Sequence, residues 1–281
     1  MPSEAGQIRE QQRQTWDRFS AGWGKWDHLV LPMLAAVGEE MVRELRVTPD
    51  AHHLDIASGT GEPGLTIAAA APGGKVVLTD LARGMLDFAE QNATRRGLRN
   101  VEIRECSADD LPFADATFDS ISCRFGFMFF PDIPAAVSEM KRVLKPGGKL
   151  CTAVWAEPAG NPWATVPMAA IATEVELPPP SPDMPGLFRC ATPGAISGIC
   201  EAAGLGNVTE TDVRSFLVSA SAEEYWQYMT EVAAPVVAGL SRADAAARER
   251  ITAIVIGKVA GFVVDGRPRL PLHARCIIGT K

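Results

Sequence analysis

Short apolar runs alternate with helically spaced segments through the first half of the chain. Residues 52–57 read as a strand, 62–71 as a helix with Pro63 in its first turn, and 75–80 as a second strand. A helix over 83–96 is closed by Gly97, and strands follow at 101–104 and 118–123. A helix over 133–144 stops at Lys145-Pro146-Gly147-Gly148, and 149–155 is a fifth strand. Strands that alternate with helices in this way predict parallel pairing through right-handed crossovers, hence a doubly wound α/β sheet. Helical spacing also covers residues 33–46, after a polar stretch at 4–31 that carries Trp16, Trp23 and Trp26. Beyond Trp155 the rhythm changes. Residues 157–190 are proline-rich, with Pro178, Pro179 and Pro180, and predict an irregular cap. A helix at 192–203, a strand at 208–218, helices within 221–264 and a last strand at 269–279 complete the pattern. The expected organisation is therefore a lid (1–31), an α/β core (32–156), a cap (157–190), a core helix and strand (191–220), a helical insertion (221–264) and a last core strand (265–281).

Composition narrows the partners. The chain has 281 residues with 27 basic and 34 acidic side chains, a net charge of −7, which argues against a nucleic-acid partner because phosphates need a basic face. Charged residues interrupt the N-terminus, where a secretory signal would need an apolar run, and the apolar stretch 251–264 is too short to span a bilayer. The six cysteines form no C-x-x-C pair and the four histidines are not at metal-ligand spacing, so reduced thiols, a cytoplasmic location and no metal are expected.

Gly59-Thr60-Gly61-Glu62-Pro63-Gly64 follows the first strand and matches G-x-G-x-x-G. These glycines let the backbone approach a ligand at a helix N-terminus, and the motif alone also fits a nicotinamide or flavin. Asp55, inside the preceding strand, decides between ligands. Its charge would repel a pyrophosphate, whereas the ammonium and sulfonium of S-adenosylmethionine favour it. Asp55 also suits backbone N–H groups of the loop. Asp80 ends the second strand, where an acid can grip ribose hydroxyls, or simply cap the next helix.

Leu54-Asp55-Ile56-Ala57-Ser58-Gly59-Thr60-Gly61 and Asp80-Leu81-Ala82-Arg83-Gly84-Met85-Leu86 resemble the first two motifs of class I S-adenosylmethionine-dependent methyltransferases. Leu111-Pro112-Phe113, Phe118-Asp119 and Arg142-Val143-Leu144-Lys145-Pro146-Gly147-Gly148 complete the likeness, which is strongest over about 40–155. The ubiquinone/menaquinone-biosynthesis type and related small-molecule methyltransferases are the most similar. The resemblance implies a seven-strand Rossmann-like fold. Gly59 and Gly61 would lie against the methionine part of the donor, with Asp55 and Ala57 in the same motif. Asp80 would hold the ribose, while Leu81 and Met85 cover the adenine. Ala108 would meet the adenine edge, and the backbone carbonyl of Arg124 would take the α-ammonium. Relatives carry an aspartate for the adenine amino group where this chain has Ser107, so Ser107 or Asp109 must substitute.

Trp16, Phe19 and Trp23 fall where relatives have an aromatic lid, or they pack on the core. Trp16, Phe125, Met128, Trp155 and Trp163 are the candidate walls of an acceptor site, suggesting an apolar or aromatic small molecule. His28 and His273 are candidate general bases, although a lone histidine is as readily structural. A homodimer could instead bury the segments outside the core. The alternatives are a nicotinamide oxidoreductase, opposed by Asp55, and a protein that binds the donor and its product S-adenosylhomocysteine without transfer.

Overall fold

The computed structural model describes residues 3–177 and 184–281. The elements are α1 (Glu4–Lys25), α2 (Asp27–Leu45), β1 (His52–Ile56), α3 (Gly64–Ala70), β2 (Lys75–Asp80), α4 (Arg83–Arg95), β3 (Val101–Glu105), β4 (Phe118–Arg124), α5 (Ile133–Val143), β5 (Leu144–Trp155), α6 (Pro162–Ile171), α7 (Ala195–Ala202), β6 (Gly206–Val218), α8 (Ala222–Val232), α9 (Ala234–Leu240), α10 (Ala245–Ala260), β7 (Val263–Val264) and β8 (Arg267–Thr280). Seven strands lie in the order β3-β2-β1-β4-β5-β8-β6, and the short β7 forms a hairpin with β8. Strands β1 to β5 run parallel, whereas β8 is antiparallel to both β5 and β6. This is the seven-strand doubly wound sheet expected from the alternation. The order reverses at β1 and β4, so a crevice opens at the carboxyl ends of these two strands.

Three expectations need correction. Helix is not confined to residues 33–46: α1 and α2 run from Glu4 to Leu45, broken only at Trp26. Trp26 is buried and its indole Nε1 donates to Glu231 of α8 at 2.8 Å, which fixes the break by a tertiary contact. From Leu29 on, Val30, Met33, Leu34, Val37, Met41 and Leu45 form the buried stripe of α2. The expected cap is also not wholly irregular, because α6 lies within it. Asn161 starts that helix from complete burial. Its amide donates to the carbonyls of Ala156, Glu157 and His273 at 3.0–3.2 Å, and its Oδ1 accepts from His273 N–H and Trp163 Nε1. Pro178, Pro179 and Pro180 lie outside the described residues. Finally, Lys145-Pro146-Gly147-Gly148 belongs to β5 as a register irregularity rather than preceding it, and Gly147 adopts φ 78° there.

Close packing at the foot of the sheet sets a test. A Cβ at Gly74, in the turn before β2, would stand 2.1 Å from the Ala51 carbonyl oxygen, whereas one at Gly198 in α7 would meet nothing within 4 Å. Gly74→Ala should therefore cost about 1–3 kcal/mol in urea unfolding. Gly198→Ala should add about 0.5–1 kcal/mol by limiting the unfolded chain. Equal effects at the two positions would contradict this packing.

Candidate functional site

The site begins with a carboxylate inside the sheet. Asp55 of β1 is completely buried. Its Oδ2 accepts the N–H of Gly64, the first residue of α3, at 3.0 Å, and its Oδ1 accepts the Ser122 hydroxyl at 2.5 Å. The pairing of β1 with β4 sets His53 beside Ser120 and Asp55 beside Ser122. His53 is also completely buried, with Nδ1 2.7 Å from Ser120 Oγ and Nε2 2.8 Å from Ser122 Oγ. One proton arrangement satisfies every member. Ser120 donates to Nδ1, Nε2–H donates to Ser122, and Ser122 donates to Asp55. Burial pushes His53 down to about 3, so the ring is neutral. Burial pushes Asp55 up to about 7, against the hydrogen bonds from Ser122 and Gly64.

The loop above this network is shaped for close approach. Ala57 and Gly59 have φ 53° and 55°, and Gly61 has φ 115°. Apart from its own and its neighbours' atoms, no heavy atom lies within 4 Å of where a Gly59 Cβ would stand. A Cβ at Gly64, by contrast, would stand 2.8 Å from Asp55 Oδ2 and 2.3 Å from a Leu78 methyl, so the tie to Asp55 requires glycine. Asp80 joins loop and helix. Its Oδ2 accepts Gly59 N–H and its Oδ1 accepts Ala82 N–H, both at 3.0 Å. Each oxygen keeps a lone pair for a further donor. Ser58 Oγ and Trp23 Nε1 are buried polar atoms without a hydrogen-bond partner.

Helix α1 is fastened over the next strands. Asp17 accepts Gly84 N–H of α4 at 2.9 Å, and Arg9 pairs with Asp109 at 2.6 Å. The Ser107 hydroxyl donates to the other oxygen of Asp109. Burial works against that carboxylate, but the bonds from Ser107 and Arg9 hold it below its usual range. Asp27, at the start of α2, lies 3.4 Å from both Thr60 Oγ1 and Asn92 Nδ2. Leu81 is partly exposed, while Met85 and Ala108 are buried.

Aromatic side chains form two groups near the ends of β4 and β5. Trp16 meets Trp23 at 6.1 Å and Phe129 edge-on at 5.0 Å. Phe125, at φ 63°, stacks on Trp155 at 4.1 Å, and Trp155 meets Trp163 at 4.8 Å. Met128, expected to face an acceptor, is instead fully buried in the core. His28 is exposed on α2, stacked on Trp26 and 4.0 Å from Glu224, so solvent screens it from any dry site. His273 is buried on β8 with Nε2 3.1 Å from Asp212 Oδ2, in a cluster where Arg275 also meets Asp212, Glu210 and Glu157. Neither ring bonds to the 57–64 loop. The His53–Ser122 relay and Asp27 did not emerge from motif matching, although His53 and Asp55 alternate along β1 as Ser120 and Ser122 do along β4.

A methyltransferase-domain family profile matches residues 54–152. Over these residues the chain is similar to methyltransferase domains. It carries the Asp55 network, the glycine loop and Asp80. An uncharacterized protein of Mycobacterium tuberculosis is 32% identical over 163 residues, 57% of this chain and 58% of the relative. A demethylmenaquinone methyltransferase of Thermus thermophilus is 45% identical over 97 residues, 34% of this chain and 44% of the relative. The chain thus spans about half the length of these curated relatives. Among solved structures, the Bacillus subtilis YcgJ protein shares the fold with TM-score 0.55 and 21% identity, covering 87% of this chain and 97% of that one. The [4+2]-cyclase SpnF shares it with TM-score 0.53 and 19% identity, covering 87% and 80%. Among the described residues no helix is long and apolar enough to cross a membrane, and no group of metal-ligand side chains occurs.

The buried acid of β1 predicts a pH dependence. Asp55 keeps its proton to about pH 7 in the folded state and loses it near pH 4 when unfolded, so stability falls as pH rises from about 4 to 7. Asparagine can accept from Gly64 and donate to Ser122 if the hydroxyl–imidazole chain reverses, and it never ionises. The ligand-free Asp55→Asn variant should exceed the parent by about 1–3 kcal/mol at pH 8, each pKa unit being worth about 1.4 kcal/mol. The advantage should vanish near pH 4. Urea unfolding across this range checks it, and a variant less stable than the parent at pH 8 would refute it.

Proposed function

We propose that this chain transfers a methyl group from S-adenosylmethionine to a small apolar or aromatic acceptor, in the cytoplasm. The observation that carries this reading is the pair of carboxylates, Asp55 and Asp80, bonded directly to the backbone of the glycine loop. Asp55, ionised above about pH 7, suits an ammonium and a sulfonium and disfavours a pyrophosphate, while Asp80 suits ribose hydroxyls. The matched domain and the demethylmenaquinone methyltransferases among its relatives support the same conclusion. The shared fold alone does not assign the reaction, since a [4+2]-cyclase has it too. The cysteines are all unpaired and five of the six are buried, which supports a reducing compartment.

The residues present fit the donor. The open approach at Gly59 and the orphaned Ser58 Oγ and Trp23 Nε1 are what a polar ligand lying on the loop would use. Gly59 and Gly61 would hold its methionine part and Asp80 its ribose, with Leu81, Met85 and Ala108 around the adenine and Ser107 and Asp109 at the amino edge. The Arg124 carbonyl would take the α-ammonium. When bound, the donor supplies a methyl group already activated by its sulfonium. The chain then has to align an acceptor and exclude water. Phe125, Phe129, Trp155, Trp163 and Trp16 are the walls for that acceptor, α1 is the lid, and α6 with α8 to α10 close the far side. No histidine is assigned as base.

Asp80→Ala removes two charge-assisted bonds to ribose. Calorimetry should show affinity for S-adenosylhomocysteine falling by about tenfold or more. An unchanged affinity would leave Asp80 as a structural tie alone. Trp16→Ala should release the product faster in stopped-flow fluorescence while ligand-free melting changes little. An unchanged release rate would remove α1 from the lid role.

A further inference from the structure

The same strand faces that carry the Asp55 network carry one more charged side chain. Ser120, Ser122 and Arg124 alternate along β4, so Arg124 lies on the face shared by His53 and Asp55, at the carboxyl end of the strand. Its guanidinium enters beneath α2 beside the end of the glycine loop. Nη1 lies 3.8 Å from where a Gly38 Cβ would stand, and Pro63 Cβ lies 4.0 Å from the same point. The guanidinium makes no hydrogen bond or ion pair among the described residues. Glu62 and Asp55 act on it only through their fields. Glu62 is already paired with Arg96 at 2.5 Å, and both oxygens of Asp55 are occupied by Gly64 and Ser122. Of the other arginines around the loop and lid, Arg18 is exposed on α1 over the Phe19 ring, while Arg9, Arg83 and Arg95 are engaged. Arg9 pairs with Asp109, Arg83 with Asp87, and Arg95 bonds to Asn92.

A partly buried guanidinium without a partner loses its hydration for no return unless an anion completes it. The proposed donor brings one. S-adenosylmethionine carries a sulfonium, an ammonium and one carboxylate. Asp55 suits the cations and Asp80 the ribose, and nothing acidic can suit the carboxylate. Ammonium and carboxylate share a single carbon. If the ammonium meets the Arg124 carbonyl, its carboxylate is within reach of the same residue's side chain. Resting on the methyl-donor reading above, we infer that the Arg124 guanidinium holds the α-carboxylate of the donor. A planar fork of N–H donors matches a carboxylate in two parallel hydrogen bonds, which a lysine cannot reproduce. The contact anchors the amino-acid tail at the β4 end of the site, while Asp80 anchors the ribose at the β2 end.

The test compares two ligands that differ only by this carboxylate, S-adenosylhomocysteine and its decarboxylated analogue, on the full chain by calorimetry. The parent should prefer the carboxylate-bearing ligand by about tenfold or more, as a charged hydrogen-bonded pair requires. Arg124→Met should lose most of that preference, Arg124→Lys should recover part of it, and the affinity for the analogue should change little in either. Arg124→Gln, polar but uncharged, gives a second reading that does not depend on the methionine variant folding, and it too should lose the preference. A parent without preference, or variants that keep the parental preference, would overturn the inference. Kept preference with a raised acceptor KM would assign the guanidinium to an acidic acceptor instead. A parent that binds neither ligand would fail the methyl-donor reading itself, a result distinct from all of these.

Discussion

The tie between the buried Asp55 carboxylate and the N–H of Gly64 is the constraint on which the rest of the site depends. It fixes the first turn of α3 against β1, and so sets where the loop between them can run. Burying an ionisable acid is costly, and burial pushes this one up to about 7 even against its hydrogen bonds. The cost is offset by a chain of polar groups, Ser122, His53 and Ser120, that spans β1 and β4 at the topological switch point. A hydroxyl–imidazole–hydroxyl chain can run in either direction. It serves Asp55 as an anion and as an acid, so the loop keeps its support on both sides of neutral pH. The glycine at 64 is required by the same contact, because a side chain there would stand on the carboxylate.

Once the loop is set, the other acids act through it. Asp80 holds Gly59 and Ala82 together, which joins the ends of β1 and β2. Asp27 reaches Thr60 from α2, and Asp17 and Arg9 fasten α1 to α4 and to the turn after β3. At its other end α1 meets α8, where Lys25 and Trp26 share Glu231. The helix is therefore held from both the donor side and the insertion. Fastening by a few part-exposed polar contacts is what the proposed lid role of α1 requires, since a gate must be able to open. Trp155 and Trp163, proposed for the acceptor wall, are by contrast built into the core through Asn161 and Phe125.

The core was legible in the sequence because strand-like runs alternate with helically spaced segments through the β1–β5 region, punctuated by glycine or proline. Strand 75–80 is read to the residue. The glycine loop, Asp55 and Asp80 were legible because their chemistry is local. What escaped depends on contacts distant in sequence. The break at Trp26 is set by Glu231, 205 residues away, and the start of α6 is set by Asn161 reaching β8. His53 and Ser122 are ordinary residues until strand pairing sets them side by side. His28 and His273 were singled out for their type, yet type says nothing of burial or of partners: one is exposed and the other is committed to Asp212. Met128 sits in an aromatic run whose members point in different directions, and only packing separates the fully buried members from the partly buried ones.

An acidic, glycine-lined loop that selects a cationic adenosyl donor over a dinucleotide is the central claim. Calorimetric titration of the ligand-free chain with S-adenosylhomocysteine and, separately, with NAD tests it most directly. The product retains the adenosine and the amino-acid tail of the donor, so the account predicts saturable heat with S-adenosylhomocysteine and none with NAD. Saturable heat with NAD and none with S-adenosylhomocysteine would contradict it.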